Sequence, residues 1–349
     1  MNRILIIPLI AVLLLAICAP LGDAQTQKAG INSAAFLKVG VGARQVALGS
    51  AVTSLNEDAT NMFWNPAGIA LKEQTAQAAF TYNNWIGGLS QEAAAVSYNW
   101  ADIGTIGVGF QMFGINGIQA DRDNSSGGLT DPKILENAID NVQSSTYDYQ
   151  DLLVQATYSR YITDYLSLGV SFKYIHEKID DQGASAYAFD LGTVYNIGLL
   201  GWSVGARVNN LGSDMKFYDF GSPIPLTFSI GTSMSPVDGG VTRWLLALDI
   251  VKPQDGTQYY YAGTELGFNK TFFVRAGWKF NYSWFGLSGS GIDAGATYRP
   301  PIQTSLERGS FGAGVRIPFD TYVVNVDYAY TVFSALQDVH RFTISFSMK

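Results

Sequence analysis

From Thr75 to the end of the chain, apolar and polar positions alternate in blocks of about ten residues, each closed by a turn. In Thr321–Val332, Tyr322, Val324, Val326, Tyr328, Tyr330 and Val332 fall on one face, and Thr321, Asn325, Asp327 and Thr331 on the other. In Leu166–Glu177, Leu168, Val170, Phe172 and Tyr174 oppose Ser167, Gly169, Ser171 and Lys173. A period of two is that of a strand with chemically different faces. The pattern predicts strands near 75–83, 92–100, 104–113, 151–161, 166–176, 185–195, 201–209, 226–234, 243–251, 259–268, 271–281, 309–317, 321–332 and 340–348. The count is even, as in bacterial membrane barrels. Segment 290–298 alternates weakly and reads as a hairpin within a loop.

The connections sort by length. Links 101–103, 162–165, 196–200, 235–242, 269–270 and 318–320 are short, whereas 114–150 and 282–308 are long. Short periplasmic turns and longer outer loops mark a transmembrane barrel. The expected fold is therefore all-β: a closed antiparallel transmembrane β-barrel in the outer membrane, spanning 75–349, with both termini on the periplasmic side. A soluble sandwich or propeller would turn a charged face to water. Here the polar face is Ser, Thr, Gly and Asn, and Trp100, Trp202, Trp278 and Tyr330 stand near strand ends, where interfacial girdles lie.

Composition agrees. Charged residues are only 15%, aromatics reach 13%, and mean hydropathy is +0.09, too low for a bundle of membrane helices. A net charge of −7 argues against nucleic acid. Arg3, the apolar run Ile4–Cys18 and Gly22-Asp23-Ala24 read as a signal peptide over 1–24. Cys18 follows Ile17 rather than a small residue, which disfavours lipidation, and leaves the mature chain without a thiol.

Residues 25–74 break the alternation. Gly40, Gly42 and Gly49 interrupt them, Asn56-Glu57-Asp58 can cap a short helix over Ala59–Trp64, and Asn65-Pro66-Ala67-Gly68 forces a turn. The expectation is a luminal plug, with a periplasmic cap equally open for the part before Gly40. Val41, Val46, Leu48, Leu55, Met62, Phe63, Trp64 and Ile69 could line an apolar pocket there, though packing is the more frequent role. Inward faces carry Lys173, Asp190, Arg207, Asp249, Glu265, Arg275, Lys279, Arg316 and Asp327. Mixed signs predict ion pairs across a narrow, occluded lumen rather than a charge-selective pore.

At these residues a resemblance emerges. Ala35-Phe36-Leu37-Lys38-Val39-Gly40-Val41-Gly42-Ala43-Arg44, Ala47-Leu48-Gly49-Ser50-Ala51 and Phe63-Trp64-Asn65-Pro66-Ala67-Gly68-Ile69-Ala70 resemble the opening of the PorV/PorQ family. Val326-Asp327-Tyr328-Ala329-Tyr330 and His340-Arg341-Phe342-Thr343-Ile344-Ser345-Phe346 are similar to its close. The Asn-Pro-Ala element is shared with FadL-like barrels. The resemblance implies a 14-stranded FadL-like barrel with an N-terminal hatch, in which Gly42, Arg44, Asn65, Pro66, Ala67 and Gly68 carry the structural motif. It also implies association with type IX secretion of the Bacteroidetes, whose members shuttle cargo through cargo C-terminal domains or anchor the surface attachment complex.

No catalytic constellation accompanies this. His176 and His340 stand alone at strand ends, no ligand set has zinc spacing, and neither a Gly-x-Ser-x-Gly elbow nor a P-loop occurs. Asp121-Arg122-Asp123-Asn124-Ser125 with Gly127 and Asp131 reads as an exposed loop rather than a calcium site, and Asp180-Asp181 as a turn. The expectation is a protein without enzyme activity, cofactor or metal. Its partners would be outer-membrane lipids and, through the resemblance, type IX components or cargo domains. Two functions compete: a secretion-system binding protein, and a transporter of hydrophobic small molecules such as fatty acids. An orphan porin-like barrel is a third, weaker option.

Overall fold

A computed structural model describes residues 31–56, 58–70, 74–100, 102–120, 145–256, 258–281, 307–333 and 336–348. The signal peptide with Cys18, the Asp121–Asp131 loop and segment 290–298 lie outside these residues. The strands are β1 (Ala76–Asn84), β2 (Ser90–Trp100), β3 (Gly104–Ala120), β4 (Ser145–Tyr161), β5 (Leu166–Ile179), β6 (Gln182–Asn196), β7 (Ser203–Gly212), β8 (Met215–Phe217), β9 (Phe220–Ser222), β10 (Thr227–Asp238), β11 (Thr242–Pro253), β12 (Tyr259–Phe268), β13 (Phe272–Asn281), β14 (Glu307–Pro318), β15 (Tyr322–Phe333) and β16 (Val339–Met348). Fourteen of them form one closed antiparallel barrel, and β8 and β9 pair separately. β1 closes on β16 from Ala76↔Met348 to Asn84↔His340, so neither edge keeps a row of unpaired amides. In hydrocarbon, where no water can satisfy such a row, only closure is tolerated.

The two faces are inverted relative to a soluble protein. On β16 Arg341, Thr343 and Ser345 are buried while Phe342, Ile344 and Phe346 are exposed. On β2 and β3 the same holds for exposed Val96, Val108 and Phe110 against buried Ser97 and Gln111. An apolar exterior around a closed cylinder is a lipid-facing surface. His176 and His340 belong to its aromatic band: His176 Nδ1 shares a hydrogen bond with Ser185 Oγ at 2.8 Å, and His340 Nδ1 with the Tyr328 hydroxyl at 2.8 Å.

The strands extend further than their alternation shows. β3 and β4 continue through a bulge between Ile115 and Ile118, where Gly117 takes φ +72° and donates its N–H to Asp148 Oδ1. A bulge offsets the period by one residue, which hides the strand from a two-residue pattern. The loose link 235–242 shrinks to 239–241, because β10 carries a bulge between Met234 and Val237 that accommodates Pro236, a residue with no ladder N–H. Hairpin β8–β9, inside link 213–226, is too short to show a period at all.

Candidate functional site

Residues 34–70 lie against the buried inward faces of the strands, and trace a path down the barrel. At the end with the long links, Ser33 N–H bonds Pro223 O, Ala34 N–H bonds Glu177 Oε1 at 2.8 Å, and Phe36 stacks on Phe113. A short helix, Ala43–Ala47, packs on β13–β16, with Ala43 N–H donating to Thr343 Oγ1 at 2.8 Å. Val52 and Thr53 donate both backbone N–H groups and the Thr53 hydroxyl to Asp249 Oδ2. A 3₁₀ turn, Ala59–Phe63, capped by the Asp58 carboxylate, meets β1–β3. A second, Pro66–Ile69, meets β4–β6 at the end with the short links.

The stretch before Gly40 is therefore no cap on the short-link mouth. Phe36 seats at the far end, in an apolar cluster with Phe113, Leu153, Ile175, Met215 and Ile224, which only an apolar side chain could complete. The described chain begins at the long-link end, opposite the end where β16 stops.

Asn65 braces the lower end. Its Oδ1 accepts from Ala67 N–H, and its Nδ2 donates to Thr53 O at 2.6 Å and Thr193 O at 3.2 Å. Pro66 occupies the first turn position, where a missing N–H costs nothing. Ala67 O accepts from both Ser159 Oγ and Ser167 Oγ. Gly68 lies where a Cβ would come 2.7 Å from Leu55 O, and Gly42 adopts φ +92° with its Cβ position filled by Gln45. The strands supply matching absences. A Cβ at Gly192 would fall 1.9 Å from Asn65 Oδ1, at Gly169 2.3 Å from Ala67 N, at Gly205 2.3 Å from Thr53 O and at Gly277 1.9 Å from Gly49 N. These glycines look like small polar-face residues in the pattern; in the fold each is where the luminal backbone touches the wall.

The charged residues pair along the wall and with the segment rather than across an open lumen. Lys173 on β5 bonds Asp190 on β6 at 2.6 Å. Glu265 accepts from Arg275 at 2.6 Å and from Arg44 at 2.8 and 3.0 Å, and Arg275 reaches Asp327 at 2.5 Å. Gly314 makes room for that last bond, since its Cβ would meet both partners. Lys279 bonds Glu307 at 2.7 Å. Arg316 is exposed at the short-link rim, with its Nε on Asn325 Oδ1 and its guanidinium over the Phe273 ring. Arg207 lies over Trp64, 5.4 Å from the ring centroid, and Asp249 is held by the segment as above.

The apolar candidates divide. Leu48 and Leu55 pack with Val52 and Leu245, Met62 and Ile69 pack with Ala59 and Ala95, and Val46 is buried beside Gly40. Val41, Phe63 and Trp64 instead line a chamber of about 420 Å³ between the segment and strands β3–β5, β7 and β10–β14. The rest of its lining mixes aliphatic residues (Leu37, Val39, Leu153, Val251 and Pro253) with polar and aromatic ones, among them Lys38, Lys173, Arg207, Lys279, Asp255, Glu307, Asn209, Asn210, Tyr259 and Tyr261. Asp255 (paired with Lys38) and Glu307 went unnoticed because each sits outside the clear alternation, at or beyond a strand end. Asn209-Asn210 form a bulge opposite Asp190, with Asn210 at φ +60°. There β7 leaves β10: the pairing begins only at Thr227↔Asn209, and the chain before Thr227 turns inward at buried Ile224. Among the described residues, no group of three or more His, Cys, Asp or Glu side chains is placed to hold a metal.

With this geometry in view, comparison of folds is decisive. The deltaS2 mutant of the TodX monoaromatic hydrocarbon channel superposes with a TM-score of 0.57 over 89% of this chain and 99% of its own, at 13% identity. The CymD monoaromatic hydrocarbon channel gives 0.56 over 89% and 98%, at 12% identity. The Pseudomonas putida toluene transporter TodX gives 0.54 over 88% and 98%, at 13%. This chain has the closed-barrel fold of these proteins. Identities this low carry the architecture and nothing finer. No family model and no curated protein matches the sequence.

Proposed function

We propose that the protein is a non-enzymatic outer-membrane barrel that binds small, partly aromatic molecules in its luminal chamber and passes them across the membrane, with residues 34–70 acting as the plug. The long links would face outward and the end of β16 the periplasm. The carrying observation is the chamber itself: about 420 Å³, beside the segment, walled by Phe63, Trp64, Tyr259 and Tyr261 as well as by charges. A concave site with aromatic walls and a few placed polar groups is the usual form of a small-molecule site. The hydrocarbon channels that share the fold support the reading. Cells carrying the barrel should accumulate a labelled monoaromatic solute faster than cells with an empty vector; equal rates would remove this function.

A second reading, a component of type IX secretion that holds exported proteins at its outer rim, rests on the PorV/PorQ-like residues. It is favoured by how firmly the segment fills the lumen, through Arg44–Glu265 and Asp249–Thr53, which leaves the rim as the working surface. Exposed Tyr218 and Phe220 at the tip of hairpin β8–β9 would belong to that rim. Loss of cargo from the cell surface on deletion, with solute uptake unchanged, would select it.

A further inference from the structure

The chamber contains four cations, and three of them already have a bonded carboxylate: Lys38 with Asp255, Lys173 with Asp190, and Lys279 with Glu307. Arg207 is the exception. It points inward from β7, is only 6% exposed, and makes no hydrogen bond among the described residues; its Nε is buried without a partner. Asp249 lies near enough to offset its charge but makes no ion pair with it among the described residues: its Oδ2 is held by Val52 and Thr53 of the luminal segment, and its Oδ1 is buried without a partner. The Arg207 guanidinium lies over the Trp64 ring, and Trp64 is itself pinned by its Nε1–H to Val41 O at 2.8 Å and by Asn209 Nδ2 on its carbonyl. Asn209 Oδ1 beside it is also buried and unpartnered.

A buried guanidinium with open N–H groups is costly in free energy, and an incoming anion would recover that cost. Its planar donor fork matches a carboxylate. The surrounding surface carries four rings, Phe63, Trp64, Tyr259 and Tyr261, beside aliphatic Leu37, Val39, Leu153 and Val251.

We propose that the chamber is a site for a small aromatic carboxylate, with the carboxylate on Arg207 and the ring among Phe63, Tyr259 and Tyr261. This deepens the small-molecule reading above and rests on it. It also separates this barrel from one that takes neutral hydrocarbon, which would leave Arg207 unsatisfied.

The test is calorimetric titration of the folded barrel in detergent with 3-phenylpropionate, its neutral counterpart 3-phenylpropanol and the aliphatic octanoate. The acid should bind at one site, about tenfold or more tighter than the alcohol, the effect expected of one charge-assisted hydrogen bond. Arg207→Gln should lose that advantage, Arg207→Lys should keep part of it, and Arg316→Gln at the rim should bind as the parent does. Equal binding of acid and alcohol by the parent protein would overturn the proposal whether or not the Arg207 variants fold. Octanoate binding as tightly as 3-phenylpropionate would overturn its aromatic half. If cells still accumulate a monoaromatic hydrocarbon while the acid fails to bind, this inference falls and the transport reading stands; if neither occurs, both fall.

Discussion

Glu265 shows what single residues contribute. It accepts from two arginines, Arg275 on the adjacent strand and Arg44 on the luminal segment, and all three are buried. Breaking a buried pair leaves a charge without its partner, at a typical cost of about 3–5 kcal/mol. Arg44→Met should cost about 3 kcal/mol or less, because Arg275 stays, and the loss should be read as a lower denaturant midpoint of the detergent-folded barrel. The close glycines make a sharper case. At Gly192 and Gly169 a methyl group has no space against Asn65 and Ala67, so Gly192→Ala and Gly169→Ala should unseat the lower end of the segment. Limited proteolysis should then cut within residues 34–70 in both variants, and not in Gly240→Ala, where a Cβ meets nothing within 4 Å. Equal resistance in all three would show that these contacts do not hold the segment.

At the scale of elements, the segment and the wall are interdependent. The segment has only short turns of its own, so its conformation is fixed by strand groups: Thr343, Asp249, Thr193, Ser159 and Ser167. The strands in turn owe their inward charges' partners partly to the segment. A lumen filled in this way should conduct poorly. In planar bilayers the intact protein should show no large conductance step, and the Arg44→Met/Asp249→Asn double variant should open more often, since it removes one anchor from each half of the segment. Large steps from the intact protein would contradict a filled lumen. The existence and type of all fourteen barrel strands were legible in the alternation, from Thr75 to Met348. What was illegible were the departures from period two, namely the bulges at Gly117, Asn209-Asn210 and Pro236, and the three-residue strands of β8–β9.

For the whole molecule, the governing feature is an apolar exterior on a closed cylinder. A cation at mid-height on that face must enter hydrocarbon, which costs about 2–4 kcal/mol in membrane barrels. Val108→Lys, at an outward position 57% exposed, should therefore slow insertion into lipid vesicles and lower the fraction that resists unfolding by heat in detergent. Tyr218→Lys, at the hairpin tip beyond the wall, should insert normally. If both inserted equally well, the exterior would not be facing lipid.

The sequence by itself determined the number of barrel strands, the two faces, the closure and which strand ends carry long links, because side chains on a strand alternate by local geometry and need no distant partner. Asp58 and Asn65-Pro66 likewise announced their turns, being caps that act within two or three residues. The tertiary structure alone decided that residues 31–70 descend from the long-link end, that Arg44 meets Glu265, and that Arg207 has no hydrogen bond among the described residues at the edge of a chamber. Those facts depend on which groups from distant strands converge inside the ring. The residues that permit it, Gly169, Gly192, Gly205 and Gly277, act by the side chain they lack, which leaves no mark in a pattern of polar and apolar positions.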